Sequence, residues 1–432
     1  MAPLNTARRL IFWLAIVITP SQSQHTVDPD ALVALAMKKI EQVLERQQRF
    51  TCDAMISREF YRTDTAGPDR PISPAAKRRL LAWKDRLHVE VAVFDGRQLF
   101  SWPGTGTFRF EGLDEMTGGG ASGTGDFGPF AASFLADSDP ASVRFRGLGE
   151  WAGQQVAEYS YDVPLVSSHY AIETGEHRFE RAAYRGSMFV DTRTGDLRRQ
   201  VITVPWPPAG SGVLRAEVDT SYEPQLSSGG TGLFPSTSIL AMTLNGGNEA
   251  INRITYRGCR TFTSESTLRF GGSSGAPRQA EATAMPSHLP AGLQVRSTML
   301  TPIDTRTASA GDLFEARLVD PIRQEKRTLV PKGAVLHGRI VRLEQQYIPS
   351  VSVLVGVRFD SVEFNGTPLS LALAARAAVP SNAGLGPRDQ TIPRPEDWRE
   401  PADKREHVAT IWVFGTDHFR FDTHGVSLWE TQ

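Results

Sequence analysis

The chain has little cysteine, no charge excess and no long apolar run. Its two cysteines are Cys52 and Cys259, and neither stands at the end of the first apolar stretch, so a bacterial lipoprotein anchor is not expected. Lys plus Arg number 47 against 48 Asp plus Glu, a formal net charge of −1, so no overall field draws the chain to nucleic acid or to an anionic surface. The N-terminal apolar run, residues 10–18, is shorter than the about 20 residues that span a bilayer. No Gly-Lys-Ser/Thr follows any glycine run, which excludes a phosphate-binding P-loop. Heptads and internal repeats are likewise missing, so neither a coiled coil nor a solenoid is expected.

The beginning of the chain is ordered like a secretion signal. Arg8 and Arg9 precede the apolar run, and Pro20, Ser21 and Ser23 follow it, giving a positive end, a short apolar core and a small-residue cleavage site. Residues 1–23 are therefore expected to be removed, leaving a mature protein without a transmembrane segment in the periplasm or outside the cell. In such a compartment an isolated cysteine pair forms a disulfide, and Cys52–Cys259 is the expected bond, the alternative being two separate buried thiols. Closing a loop of roughly 200 residues stabilises a fold by up to about 5 kcal/mol through chain entropy.

The 432 residues exceed one ordinary domain, and 38 Gly with 28 Pro imply many short elements joined by turns. One helix is predicted over 29–49. Asp28 serves as N-cap and Pro29 as first residue, while Leu32, Leu35, Ala36, Ile40, Val43 and Leu44 recur at helical spacing opposite a charged face. From Thr51 the period becomes two. Trp83, Leu87, Val89, Val91 and Val93 alternate with Lys84, Arg86, His88 and Glu90, and Asp95-Gly96 turns the chain back through 97–102. Further strands are expected near 142–147, 154–163, 182–190, 197–204, 213–222, 237–244, 249–257 and 263–270, with a short helix at 127–135. Residues 271–292 are small, Gly- and Pro-rich, and read as a linker. A second β unit follows, with strands at 293–303, 312–319, 334–345, 351–364, 367–376, 408–414 and 418–428. The fold class is α+β, mainly antiparallel β, in two parts: 24–270 and 293–432.

Motifs that could carry chemistry are sparse. GGGASG at 118–123 has dinucleotide-binding spacing but opens no helix and reads as a loop. His418, Arg420, Asp422 and His424 would share a face if 418–428 were one strand, yet the arginine among them opposes a cation. Paired acids such as Asp137 with Asp139, or Glu111 with Asp114 and Glu115, fall in polar stretches and read as solvated loop charge. No catalytic residue, metal ligand or cofactor is assigned, and an enzyme is not expected.

A helix running into FTCDAMISREFYR, followed by a long antiparallel sheet containing the hairpin MFVDTRTGDLRRQVI, resembles the LolA-like fold of periplasmic lipoprotein carriers and RseB-type sensors, over about residues 28–270. The FTC segment, the glycine-rich stretch before GDFG, and YRGCRTFTSESTLRF also resemble exported acidobacterial proteins. GDLFEARLVDPI with LVPKGAVLHGRIV is similar to the small β-barrel of TrbI-type conjugation scaffolds. The first resemblance implies a curved sheet with a covering helix and an apolar groove for a lipid or an acylated protein, lined by Trp83, Leu87, Val89, Val91, Phe100 and Trp102. The same residues would otherwise fill a core against Leu35, Ile40 and Leu44. The implied function is a non-enzymatic envelope protein with a lipid or lipoprotein ligand, whose C-terminal part meets a protein partner. A purely structural scaffold is the alternative.

Overall fold

The computed structural model describes residues 28–46, 49–63, 78–94, 97–108, 113, 116, 137, 142–174, 178–227, 230–261, 289–375 and 409–432. The secretion signal, the Asp95-Gly96 turn, the glycine-rich loop, the helix expected at 127–135, the strand expected at 263–270, most of the linker and the Pro-rich stretch 379–401 lie outside them.

Helix α1 (Pro29–Arg46) begins where its sequence predicts. The Asp28 carboxylate accepts the backbone N–H groups of Asp30 and Ala31 at 3.0 and 3.3 Å, satisfying two of the free donors of the first turn. Leu32, Ala36 and Ile40, at four-residue spacing, are the buried stripe.

The strands that follow are β1 (Arg49–Thr63), β2 (Arg79–Phe94), β3 (Arg97–Ser101), β4 (Arg144–Trp151), β5 (Gln154–Val163), β6 (Ala171–Thr174), β7 (Arg178–Arg181), β8 (Tyr184–Asp191), β9 (Leu197–Val204), β10 (Val213–Ser227), β11 (Gly230–Leu244) and β12 (Glu249–Thr261). Ten of them form a continuous antiparallel run in the order β4-β5-β8-β9-β10-β11-β12-β1-β2-β3, while β6 and β7 make a separate hairpin. The β8–β9 turn shows why register holds: the Asp191 carboxylate accepts the N–H groups of Arg193 and Thr194, both at 2.9 Å, and Gly195 takes φ +74°.

Cys52 and Cys259 are joined by the expected disulfide, 207 residues apart in sequence. It staples β1 to β12, which already pair from Phe50↔Thr261 to Tyr61↔Glu249.

The second half comprises β13 (Gln294–Met299), β14 (Ile303–Asp304), β15 (Leu313–Leu318), β16 (Ile322–Gln324), β17 (Arg327–Val330), β18 (Val335–Gln346), β19 (Ser352–Phe364), β20 (Thr367–Ser370), β21 (Leu373–Ala375), β22 (Thr410–Phe414), β23 (Arg420–Phe421) and β24 (Val426–Thr431). Its ladder runs β21-β24-β13-β15-β18-β19-β22, and the Ala375 N–H donates to Thr410 Oγ1 at 3.0 Å, bringing the two ends of that ladder together. Phe314, Phe359, Trp429 and Trp412 form an edge-to-face chain of rings inside it, which Phe421 continues with its ring tilted against Trp412. Three expected strands are broken, among them 367–376, which divides at 371–372 into β20, paired with β19, and β21, paired with β24. The one expected at 293–303 stops before Pro302, which has no N–H to give, and the one expected at 418–428 is interrupted by a turn at 423–424.

The halves meet along β2, whose outer edge is shared. Its lower part pairs with β3, and its upper part with β18 through Glu344↔Asp85, Gln345↔Lys84 and Gln346↔Trp83. Next to this, the His88 N–H donates to the Ala310 carbonyl at 2.7 Å and the Ala310 N–H to the Arg86 carbonyl at 2.9 Å. The backbones are so close that a Cβ at Gly311, φ +105°, would stand 1.9 Å from the His88 carbonyl oxygen.

Candidate ligand-binding cleft

Residues directly opposite one another in a sheet project from the same face, so the register identifies the inner surface. One row runs Gln200–Thr220–Ser238–Ile254–Ile56–Leu87, and the next Ile202–Val218–Leu240–Asn252–Arg58–Asp85. Two apolar clusters occupy this face. The first lies under α1 and contains Leu32, Ala36 and Ile40 with Tyr159, Tyr161, Tyr184, Met188, Leu197, Ile202, Val218, Tyr222 and Leu240. The second covers β1, β2, β3 and β12 and is capped by Leu113, Met116 and Ala310.

A seam of polar side chains crosses the same face. Gln200 Nε2 donates to Tyr161 Oη at 3.1 Å, Tyr222 Oη donates to Gln200 Oε1 at 3.4 Å, and Thr220 and Ser238 share a hydrogen bond of 3.0 Å. Further along, the guanidinium of Arg58, 1% exposed, binds the Asp85 carboxylate through Nε at 2.9 Å and through Nη2. Burial pushes the Asp85 carboxyl up against the downward pull of Arg58. Burial likewise raises the phenols: Tyr159 is pushed up to about 12, and Tyr161, Tyr184 and Tyr222 higher still. These groups are neutral hydrogen-bonding struts at physiological pH rather than acids or bases poised for catalysis.

The six residues expected to line a groove divide five to one. Leu87, Val89, Val91, Phe100 and Trp102 share the second cluster with Phe50, Cys52, Ile56 and Phe234, each at most 8% exposed. Trp83 lies apart, stacked on Phe60 with ring centroids 6.0 Å apart and with the Arg58 guanidinium 5.9 Å from its ring. The helix does not reach these residues. Of its expected contacts, Ile40 is buried in the first cluster and Leu35 is 43% exposed; the Leu44 side chain lies outside the described residues.

An apolar opening instead lies beside the C-terminal half of α1. It has a volume of about 50 Å³ and is lined by Lys39, Ile40, Val43, Asp196, Leu197, Pro224, Gly232 and Leu233. Three hydrogen bonds tie the helix to the sheet, two of them at the opening and one at the N-terminal end of the helix. Lys39 Nζ donates to the Thr194 carbonyl at 2.7 Å and to Asp196 Oδ1 at 2.8 Å, and Tyr159 Oη donates to the Pro29 carbonyl at 2.7 Å. The stripe of Leu32, Ala36 and Ile40 contributes roughly 3–6 kcal/mol of burial, and a half-exposed pair such as Lys39–Asp196 adds at most about 1 kcal/mol. Lifting the second half of the helix thus costs a few kcal/mol, within reach of a ligand that covers the same apolar surface. Leu197 and Leu233 were not singled out in the sequence; Val43 was read as part of the helical stripe, but which strands it faces was not legible.

A second, polar cleft of about 200 Å³ lies where β1 and β2 meet the C-terminal half, lined by Ser57, Glu59, Lys84, Asp85, Arg86, Thr305, Arg306, Leu343 and Gln345. Its carboxylates are engaged, Asp85 by Arg58 and Glu59 by Arg253 at 2.6 Å. Two other motifs differ from their sequence readings. Asp137 is buried rather than solvated, because it accepts the His169 N–H at 3.0 Å, Tyr184 Oη at 2.8 Å and the His169 ring. The 418–424 residues do not share a strand face: His418 binds Asp304 at 3.0 Å, and Arg420 binds Asp422 at 2.9 Å. Among the described residues no group of three His, Cys, Asp or Glu side chains is gathered for a metal ion.

No protein-family profile and no curated protein matches the chain. Among solved structures it is similar to a LolA superfamily protein from Nitrosomonas europaea, with 9% identity over 54% of this chain and 94% of that one and a TM-score of 0.26. A DUF1329 family protein from Desulfovibrio piger aligns with 13% identity over 56% of this chain and 96% of that one, TM-score 0.26. The lipoprotein LppX of Mycobacterium tuberculosis aligns with 8% identity over 53% and 94%, TM-score 0.20.

Proposed function

We propose that this chain is an exported, non-enzymatic envelope protein that takes an apolar ligand, a lipid or the acyl chain of a lipoprotein, between α1 and the sheet face beneath it. The observation that carries the reading is the helix itself: an amphipathic lid, packed on the sheet through Leu32, Val33, Ala36, Met37 and Ile40, beside an apolar opening between Val43 and Leu233. A bound acyl chain needs several hundred Å³, so loading requires α1 to move outward from its closed position. The predicted secretion signal and the Cys52–Cys259 bond support an oxidising compartment. The C-terminal strands, as a small closed barrel, would then serve as the docking part for a protein partner.

Titration of the mature chain with a fluorescent fatty acid tests the site. Saturable binding that Val43→Trp or Leu233→Trp abolishes, with unchanged circular dichroism, supports it. Binding that survives both substitutions places the ligand elsewhere, and no binding at all leaves the scaffold reading.

A further inference from the structure

The polar cleft where β1 and β2 meet the C-terminal half is ringed by cations that no carboxylate of the described residues binds. Lys84 and Arg86 stand two residues apart on β2, so their side chains project from the same face, about 7 Å apart along the strand. In register, Ser57 lies opposite Arg86, and Lys84 lies between Glu59 and Gln345. The facing wall is the segment after β14. Arg86 Nη2 donates to the Thr305 carbonyl at 3.2 Å, and Arg306, the next residue, stands exposed at the mouth. Gln345 is fixed by donating from Nε2 to the Asp417 carbonyl at 3.0 Å. Three cations from both halves thus surround about 200 Å³, with Leu343 the one apolar residue among the described lining.

The acids around the cleft are committed elsewhere. Glu59, although opposite Lys84, turns to Arg253 at 2.6 Å, and Asp85 is clasped by Arg58. Asp304 and Asp312, whose charges reach Arg86, are bound by His418 and His88, each at 3.0 Å, and Glu344 is bound by Arg342 at 3.0 Å. Asp417 meets Gln345 through its carbonyl, and its carboxylate lies outside the lining. Lys84, Arg86 and Arg306 form no ion pair with a described residue. Burial lowers the Arg86 guanidinium against the pull of Asp312 and Asp304, the mark of a partly desolvated cation whose one described hydrogen-bond acceptor is a carbonyl. Two guanidinium forks and an ammonium suit a dianionic group with three oxygens, whereas a single carboxylate would occupy only one fork. The polar lining and a volume below the about 300 Å³ of ordinary ligand pockets exclude an acyl chain. We propose that this cleft binds the phosphate group of a small soluble phosphomonoester, held by Arg86, Arg306 and Lys84 with the Ser57 hydroxyl as a neutral donor. Because Lys84 and Arg86 belong to the first half and Arg306 to the second, the ligand bridges the junction. The inference does not rest on a ligand under α1, which lies on the other face of the sheet.

Isothermal titration calorimetry of the mature chain with glycerol 3-phosphate, at constant ionic strength, tests it. Saturable binding with a Kd of about 1 mM or below is expected, with inorganic phosphate competing and acetate not. Lys84→Gln and Arg306→Gln should each weaken binding by about tenfold. Neither residue holds a described ion pair, and unchanged circular dichroism verifies the fold. No saturation up to about 10 mM ester, charge variants that bind like the wild type, or acetate that competes as well as phosphate overturns the inference. So does sedimentation with phosphatidic acid vesicles that Lys84→Gln/Arg306→Gln abolishes while the free ester does not bind, because the phosphate is then a lipid headgroup's.

Discussion

Removing the Cys52–Cys259 bond tests how the long sheet is held together. The bond closes a loop of 207 residues, and the chain-entropy relation gives about 5 kcal/mol for that length as an upper value. Two features of the site modify it, in opposite directions. Strands β1 and β12 pair directly along most of their length, so residual pairing in the unfolded chain would leave less entropy for the bond to remove. Cys52 is also packed at 2% exposure beside Ile56 and Val91, so replacing it by alanine adds a small cavity cost in the opposite sense. A net loss of about 3–5 kcal/mol is expected for Cys52→Ala/Cys259→Ala. With a urea m-value of about 3 kcal/mol/M, at the upper end for small proteins, the midpoint should fall by about 1–1.7 M. The assay is equilibrium urea unfolding followed by circular dichroism, with dithiothreitol-treated wild type as a second route to the open chain. A midpoint that moves by less than about 0.3 M in both would refute the reasoning, because the sheet would then be held by its ladder alone.

Two further outcomes follow from buried or shared charge. Arg58→Met leaves Asp85 as an unpaired carboxylate on the inner face and should cost about 3–5 kcal/mol in urea unfolding, whereas Arg58→Met/Asp85→Leu should recover most of the loss; a double variant as unstable as the single one would contradict this. His88 Nδ1 lies 3.0 Å from Asp312 Oδ1, and that hydrogen bond raises the imidazole above its ordinary value, outweighing desolvation and the nearby Arg339, with Asp53 adding to the rise. A raised folded value stabilises fully below the unfolded pKa of about 6.5 and is lost as pH rises through the folded one. The wild type should therefore lose more thermal stability between pH 6 and pH 8 than His88→Gln, and parallel profiles would remove His88 from the account.

What the sequence conveyed and what it did not divide along physical lines. Helix α1, the alternation through Leu87, Val89 and Val91, the Asp191–Gly195 turn and the α+β, mainly antiparallel class follow from local period and turn chemistry, and all are present. The disulfide followed from compartment and count. The position of α1 over the sheet was not legible, because the stripe Leu32–Ala36–Ile40 fits any apolar surface. Only the strand order decides that it faces Leu197 and Val218 rather than Val89 and Phe100. Asp137 read as loop charge because its partners, His169 and Tyr184, are 32 and 47 residues away. The breaks at Pro302 and at 423–424 were available in the sequence, through proline and turn residues, and alternation on either side concealed them.

The central claim is that an apolar ligand sits between α1 and the sheet. Native mass spectrometry of the mature chain, purified gently from its own envelope beside the Leu233→Trp variant, addresses it most directly. The account predicts lipid at near one per wild-type chain, released and identified on activation, and a bare variant of unchanged fold. A bare wild type, or a variant that carries the same lipid in the same amount, would contradict it.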